Sequence, residues 1–202
     1  SNQKHVDASA SAIRDLNLAS SKLYNELAKT EDFNFELNQN GILMLYKTEK
    51  VAEEETELAH IAKELGLDVD VLDWKGIQDL EPNINLDVIG GINYKCDGHL
   101  DPRKLMTQMI SYLKNNGVTF YTQHRVSGFE TSESKINAVI ANGKKFTADQ
   151  YIMTGGSFLP ELAQKAGIKI QLMPGKGYSF MYTPENTAYK LEHAALLHEA
   201  RG

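Results

Sequence analysis

Cysteine is almost absent from this sequence. Cys96 is the one cysteine among 202 residues, so no disulfide can form within the chain. Stable folding without disulfides is typical of proteins in a reducing compartment, and we therefore expect a cytoplasmic protein. Nothing around Cys96 supports a catalytic thiol, so a small buried or half-buried side chain is expected there.

Long hydrophobic runs and a basic surplus are missing too. No segment approaches the ~20 apolar residues that span a bilayer, and no signal peptide opens the chain. Peripheral association of a longer parent protein with the inner face of the membrane stays open. The formal net charge is -6, so no basic stripe is available for phosphates, and no nucleic-acid partner is expected.

Two kinds of catalytic signature are also absent. No histidines and carboxylates have the spacing of metal ligands, and no serine lies in a nucleophile elbow. Neither a metal site nor hydrolase chemistry is therefore predicted. The densest charge run, residues 49–57, is acidic, and we interpret it as the solvent face of a helix.

Helical and extended patterns alternate along the chain. Apolar residues at helical spacing predict helices over about residues 8–28 and 51–65, and Asp101-Pro102 has the residues of a helix start. A hairpin is predicted over residues 34–47 with its turn at Asn40-Gly41. Extended runs at residues 125–131, 135–141 and 144–147, joined by tight turns, predict a three-stranded antiparallel meander. Further strands are predicted at residues 69–73, 118–121, 151–153, 173–183 and 194–198.

A glycine pair follows one of these strands. At Thr154-Gly155-Gly156-Ser157, a strand is predicted to run into a helix through bare backbone. Such a turn at the carboxyl end of a sheet permits close approach of a phosphate or a flat ring. The alternative is a plain strand-to-helix turn in which Ser157 caps the helix.

Four segments stand out by their order and spacing: DGHLDP at 97–102, NGVTF at 116–120 with VSGF at 126–129, YIMTGGSF at 151–158, and MPGKGYS at 173–179. Together they resemble the family of D-amino-acid dehydrogenase, glycine oxidase and sarcosine oxidase. Because the chain starts at Ser1-Asn2 without Met and ends within a strand-like run, we interpret it as an internal fragment of such a protein.

The resemblance implies a mixed α/β fold of two kinds of layer. A partial FAD-binding, Rossmann-like layer with the β-meander would contain residues 1–31, as a helix, and 101–167. A substrate domain with an antiparallel sheet would contain residues 32–100 and 168–202.

The resemblance also implies the chemistry. FAD would accept a hydride as the Cα–N bond of a small (D-)amino acid is oxidised to an imino acid, which hydrolyses to a 2-oxo acid and ammonia. The backbone of Val126 would face the adenine, and Thr154, Gly155 and Gly156 would contact the cofactor. Substrate would meet Tyr178 and Arg201. Neither a catalytic residue nor the electron acceptor is indicated.

One departure from the family is large, because Gly-x-Gly-x-x-Gly occurs nowhere in the sequence. We therefore expect the 202-residue chain by itself to bind no FAD, to be inactive and to self-associate through exposed apolar surface.

Several alternatives stay open. The parent could be a 2-hydroxy-acid or glycerol-phosphate dehydrogenase of the same superfamily, or the chain a flavin-free α/β binding module. Tyr178 could be a core tyrosine, Arg201 a solvated arginine, and His99 an exposed loop residue rather than one that faces the flavin.

Overall fold

The structure is a computed structural model that describes residues 3–133, 135–179, 185 and 191–198. The chain forms two compact units, one of Ser1–Val118 with Thr183–Gly202 and one of Thr119–Tyr182. The elements are α1 Gln3–Leu27, β1 Ile42–Tyr46, α2 Glu49–Glu64, β2 Val69–Asp73, α3 Trp74–Leu80, β3 Gly90–Tyr94, α4 Pro102–Asn115, β4 Val126–Ser132, β5 Lys135–Ala141, β6 Lys144–Phe146, a short 3₁₀ helix Gly156–Phe158, α5 Leu159–Lys165 and β7 Ala194–His198. The predicted mixed α/β class is confirmed, and the division into an FAD-binding and a substrate layer stays a prediction.

The first unit is built on a four-stranded sheet in the order β2-β3-β1-β7. β3 is antiparallel to both of its neighbours, whereas β7 lies parallel to β1, with Ile42 opposite Ala194 and Tyr46 opposite His198. Successive side chains of a strand point to opposite faces, so the sheet has two faces to bury. α2 covers one of them and α3 the other. The first face holds Tyr46, Val51, Ala59, Ala62, Val69 and Ile92, and the second holds Leu43, Leu45 and Ile77.

Helix α2 corrects one prediction about charge. Its buried stripe consists of Val51, Glu55, Ala59 and Ala62, so Glu55 belongs to the core although its acidic neighbours are exposed. The interpretation of residues 49–57 as a purely solvent-facing run was therefore wrong at one position. The physical reason is a partner from a distant strand, since the Glu55 carboxylate is bonded to the His198 ring.

The segment before β1 does not form the predicted hairpin. Gly41 does adopt a left-handed conformation, with φ of 93°. However, the backbone of Asn38 exchanges two hydrogen bonds with His99, at 2.8 and 2.9 Å, instead of pairing with β1. Phe33 and Phe35 are buried against Leu105 of α4, and this burial draws the segment away from the sheet.

Three other predicted strands are wrong, and one real strand was missed. Residues 118–121, 151–153 and 173–179 have no regular structure, and no strand pairs with them within the described part of the chain. The remainder of the predicted strand at 173–183 lies outside the described residues. β3 was missed because Gly90 and Gly91 are poor strand formers.

Helix α4 begins as the sequence predicts. Asp101 is its N-cap, and the carboxylate accepts bonds from the N–H groups of Arg103, at 2.8 Å, and Lys104, at 3.1 Å. These backbone bonds, the one from Lys104 foremost, lower the pKa of Asp101, with a further contribution from the two positive side chains. The carboxylate form is thus favoured in the folded chain.

Replacement of this cap gives a pH-dependent prediction. Because the folded pKa of Asp101 lies below its unfolded value of about 3.9, its stabilisation is present above that pH and is lost as pH falls through the folded pKa. Asp101→Ala should therefore unfold at lower urea than the unchanged chain at neutral pH, and the gap should close in acid. Asp32→Ala, at an exposed position, is the control. A gap that is equally wide in acid would contradict the role of the ionised cap.

The second unit contains the predicted meander, which is confirmed. β4, β5 and β6 pair in sequence order and are all antiparallel. Asn142 and Gly143, both at positive φ, form the tight turn between β5 and β6. α5 packs against β4, and Arg125 at the entrance to β4 lies 3.4 Å from Glu161 of α5.

Candidate functional site

The glycine pair lies in an open turn of the second unit. Gly155 precedes the 3₁₀ helix, and Gly156 adopts a φ of 53°, a left-handed conformation that favours glycine. A Cβ built on Gly156 would meet no atom within 4 Å, whereas one on Gly155 would lie 3.2 Å from the backbone of Leu159. The turn therefore offers bare, accessible backbone at Gly156.

The turn is not the capped helix start of the alternative interpretation. Phe158 occupies the N-cap position of α5, and no side chain caps either that helix or the 3₁₀ turn before it. Ser157 therefore does not cap the helix. What the turn offers to a ligand is backbone rather than side chain.

Val126 is the first residue of β4, pairs with Ala141 and is half-buried. The register shifts between Val126 and Gly128, so the ladder is irregular just where the strand begins. The 3.4 Å contact of Arg125 with Glu161 joins this strand start to the helix that follows the glycine turn. The structure thus places Val126 and the turn on neighbouring elements of one unit.

A group of aromatic rings at the start of the meander was missed in the sequence. Tyr121, His124 and Phe146 lie with ring centroids 4.8 to 6.1 Å apart, and the Tyr121 side chain is largely exposed. The only sequence signal was the closeness of Tyr121 and His124, because the third ring comes from β6. The three rings pack edge-to-face or tilted against one another and form a small aromatic cluster at the start of the meander.

The predicted substrate residues are not brought together. Tyr178 is 89% exposed and is therefore not a core tyrosine, and the Lys176 ammonium lies 5.3 Å from its ring centroid. Arg201 lies outside the described residues. Both therefore stay predictions as substrate contacts.

A cavity of about 480 Å³ with a mixed, mainly apolar wall lies within the first unit, beside α1 and the segment that precedes α4. Its wall combines apolar side chains, Leu18, Leu37, Leu67 and Leu100, with polar ones that include Arg14, Asn17, Tyr24, Tyr94, Cys96, Asp97 and His99. The Arg14 guanidinium is already neutralised by Asp15 at 2.7 Å and donates to the Leu65 carbonyl at 2.9 Å. His99 is exposed and lines the cavity, as one of its two interpretations expected.

Desolvation shifts the pKa of several groups at this cavity upward. It raises the pKa of Asp97, and it is the largest cause of the raised pKa of Cys96, to which the Asp97 charge adds. The pKa of Tyr94 is raised by burial and then by the charge of Glu55. Cys96 is half-buried, as expected, and a raised pKa keeps it a thiol rather than a nucleophilic thiolate.

Two other kinds of feature, a metal cluster and a membrane-spanning helix, are absent from the described residues. No group of three or more His, Cys, Asp or Glu residues there could hold a metal ion. In the same part of the chain, no helix has the length and apolar character needed to cross a membrane.

Comparison with known proteins gives consistent matches. The family described as FAD dependent oxidoreductase matches residues 2–199. The D-amino acid dehydrogenase of Granulibacter bethesdensis is 27% identical over 148 residues, which cover 72% of this chain and 35% of that protein. The chain thus spans about a third of the length of such curated relatives.

Solved structures share the fold at low identity. Glycine oxidase from Geobacillus kaustophilus superposes with a TM-score of 0.66 at 19% identity, covering 79% of this chain and 43% of that one. L-alpha-glycerophosphate oxidase from Mycoplasma pneumoniae, solved with FAD bound, gives 0.58 at 18% identity over 75% of this chain and 41% of that one.

Proposed function

Because the chain belongs to the FAD dependent oxidoreductase family, we propose that the whole protein oxidises the Cα–N bond of a small amino acid, a D-amino acid or glycine, to an imino acid. Water then converts the imino acid to a 2-oxo acid and ammonia. The observation that carries this proposal is the family match across residues 2–199, together with relatives named D-amino acid dehydrogenase. Since the chain spans about a third of those relatives, the activity is proposed for the whole protein.

Two features of the glycine turn support a contact with part of the cofactor. Gly156 exposes its backbone with open space around the missing side chain, and Gly155 allows the chain to turn tightly against Leu159. FAD supplies the acceptor of the hydride when it is bound. The residues proposed to hold it are Val126, through its backbone, and Thr154, Gly155 and Gly156.

The substrate side of the proposal rests on fewer observations. Tyr178 and Arg201 are proposed to contact the amino acid, Arg201 through a charge-assisted bond with its carboxylate. Alignment of Cα with the cofactor is then the main task of the protein residues. The Tyr178 side chain is 89% exposed, so a ligand can reach its ring.

The test of the function uses the longest natural form of the protein that carries these 202 residues. The purified protein should show the visible absorbance of bound flavin and should reduce a dye with D-alanine, glycine or sarcosine, forming ammonia. Dye reduction with glycerol phosphate or 2-hydroxy acids alone would favour the second candidate, a dehydrogenase of alcohols, to which the likeness to L-alpha-glycerophosphate oxidase points. Absence of flavin would leave a binding module and contradict both.

A substitution at Gly156 tests the cofactor contact in the same protein. Gly156→Asn should weaken FAD binding about tenfold or more, because a side chain would fill the space next to the exposed backbone. Asparagine tolerates positive φ better than other non-glycine residues, so the fold should be little affected. The measurement is an FAD titration of the apoprotein, with thermal unfolding to check folding. Gly143→Asn, also at positive φ and in open space, is the matched control. Unchanged affinity in Gly156→Asn would show that the turn is structural only.

A further inference from the structure

Strand β7 is attached to its sheet by few apolar contacts. Among the described residues, no β7 side chain belongs to the buried core, and only Ala195 packs against an apolar cluster. Leu196 and Leu197 are 56% and 47% exposed. The hydrophobic effect scales with the apolar area removed from water, so it holds this edge strand only weakly. Other interactions must supply much of the attachment beyond the backbone ladder with β1.

Glu81 supplies one of these other interactions, at the start of β7. This residue follows α3 directly and is completely buried. Its carboxylate accepts from the backbone N–H of Glu192 at 2.8 Å and from that of His193 at 2.8 Å, and the His193 Nδ1 lies 2.7 Å away. All three partner atoms belong to the two residues immediately before β7. A buried carboxylate is costly unless donors surround it, and here the donors come from the segment that enters the strand.

Glu55 supplies a second interaction, at the other end of β7. It interrupts the apolar buried stripe of α2, and 4% of its surface is exposed. Its Oε1 lies 2.6 Å from the Nδ1 of His198, the last residue of β7. The two glutamates approach from α2 and α3, which cover opposite faces of the sheet. The strand is therefore held at both ends and from both sides.

We propose that Glu81 and Glu55 are the anchors of β7: they hold the strand in register beside β1 and hold the rings of His193 and His198 with a proton on Nδ1. An ionised carboxylate only accepts hydrogen bonds, so the ring nitrogen facing it must carry hydrogen. The other nitrogen of each ring, Nε2, then takes no part in the bond to the anchor. This inference concerns how the fold keeps its last described strand in place and does not depend on the proposed oxidation.

The first test needs no substitution. Long-range proton–nitrogen NMR spectra of the 202-residue chain with ¹⁵N-labelled histidine report which ring nitrogen carries hydrogen. His193 and His198 should both show a protonated Nδ1 at neutral pH. Spectra in which either ring has hydrogen on Nε2 alone would overturn the proposal for its anchor.

The second test removes each anchor charge with little change of shape. In Glu81→Gln and Glu55→Gln, amide hydrogen exchange of residues 194–198 should accelerate at least about tenfold relative to that of β2 and β3, as expected from the loss of a charge-assisted hydrogen bond. The Nδ1 signature should change at His193 in the first variant and at His198 in the second. Asp79→Asn on α3 and Glu53→Gln on α2, at exposed positions, are the matched controls.

A milder variant keeps the test decisive if a glutamine variant fails to fold. His198→Asn removes the ring from a half-exposed position while Glu55 stays in place. It should accelerate exchange in β7 and leave β2 and β3 unchanged. Equal acceleration in all three strands, in this variant or in the glutamine variants, would show that the glutamates support the core in general and would overturn the anchor role.

Discussion

FAD titrated into the 202-residue chain should show no binding at micromolar concentration, and the chain should reduce no dye with D-alanine, glycine or sarcosine. The sequence contains no Gly-x-Gly-x-x-Gly, the helix start whose amides and dipole bind a pyrophosphate. The proposed contacts in this chain are confined to Val126 and residues 154–156. Losing several charge-assisted hydrogen bonds, each worth about 1.5–3 kcal/mol, weakens binding by orders of magnitude.

Calorimetry and flavin fluorescence measure this expected absence directly. The positive control is the longest natural form of the protein, titrated under the same conditions. Circular dichroism before each titration shows that the short chain is folded, so that lack of binding cannot be ascribed to unfolding. Micromolar or tighter binding to the 202-residue chain, or turnover with any of the three substrates, would place the main cofactor site among these residues and refute the prediction.

Local chemistry was sufficient to predict the elements whose signals lie within a few residues. The N-cap Asp101 with Pro102, the left-handed Gly66 after α2 and the turn at Asn142-Gly143 each fix a boundary through neighbouring backbone groups. For this reason α2, the start of α4 and the meander were predicted close to their actual bounds. These elements depend little on what lies elsewhere in the chain.

Long-range partners decided the elements that were missed or wrongly predicted. Asn38 has an extended pattern like that of a hairpin strand, yet its backbone partner is His99. Glu55 belongs to a run of acidic residues, and only the distant His198 makes its burial possible. Neither partnership leaves a mark in the local sequence, because both join residues separated by more than fifty positions.

The features of the candidate site also divide into those visible in the local sequence and those that depend on distant parts of the chain. The glycine turn was visible as a motif, and its bare backbone at Gly156 follows from the positive φ that glycine permits. The cavity beside α1 was not visible, because its wall combines residues of α1 with residues from several later segments, the last of them just before α4. The ring group of Tyr121, His124 and Phe146 likewise depends on the pairing of the meander.

Gly90→Ala should be among the most damaging single substitutions in the first unit. A Cβ at this position would lie 2.6 Å from the Leu72 carbonyl oxygen and 3.1 Å from the Tyr46 ring. The carbonyl belongs to the neighbouring strand β2 and cannot move without separating β2 from β3, which pair throughout their lengths. Overpacking of this kind costs about 1–3 kcal/mol and more where backbone must shift, so the urea midpoint should fall strongly.

Gly66→Ala separates this clash from the general effect of adding a methyl group. Gly66 has open space around it and a φ of 80°, so alanine there costs backbone strain alone, about 1 kcal/mol. Both variants are followed by urea unfolding with far-ultraviolet circular dichroism. A loss for Gly90→Ala no larger than that for Gly66→Ala would mean that β3 can shift away from β2, and that Gly90 is not required for the close approach of these strands.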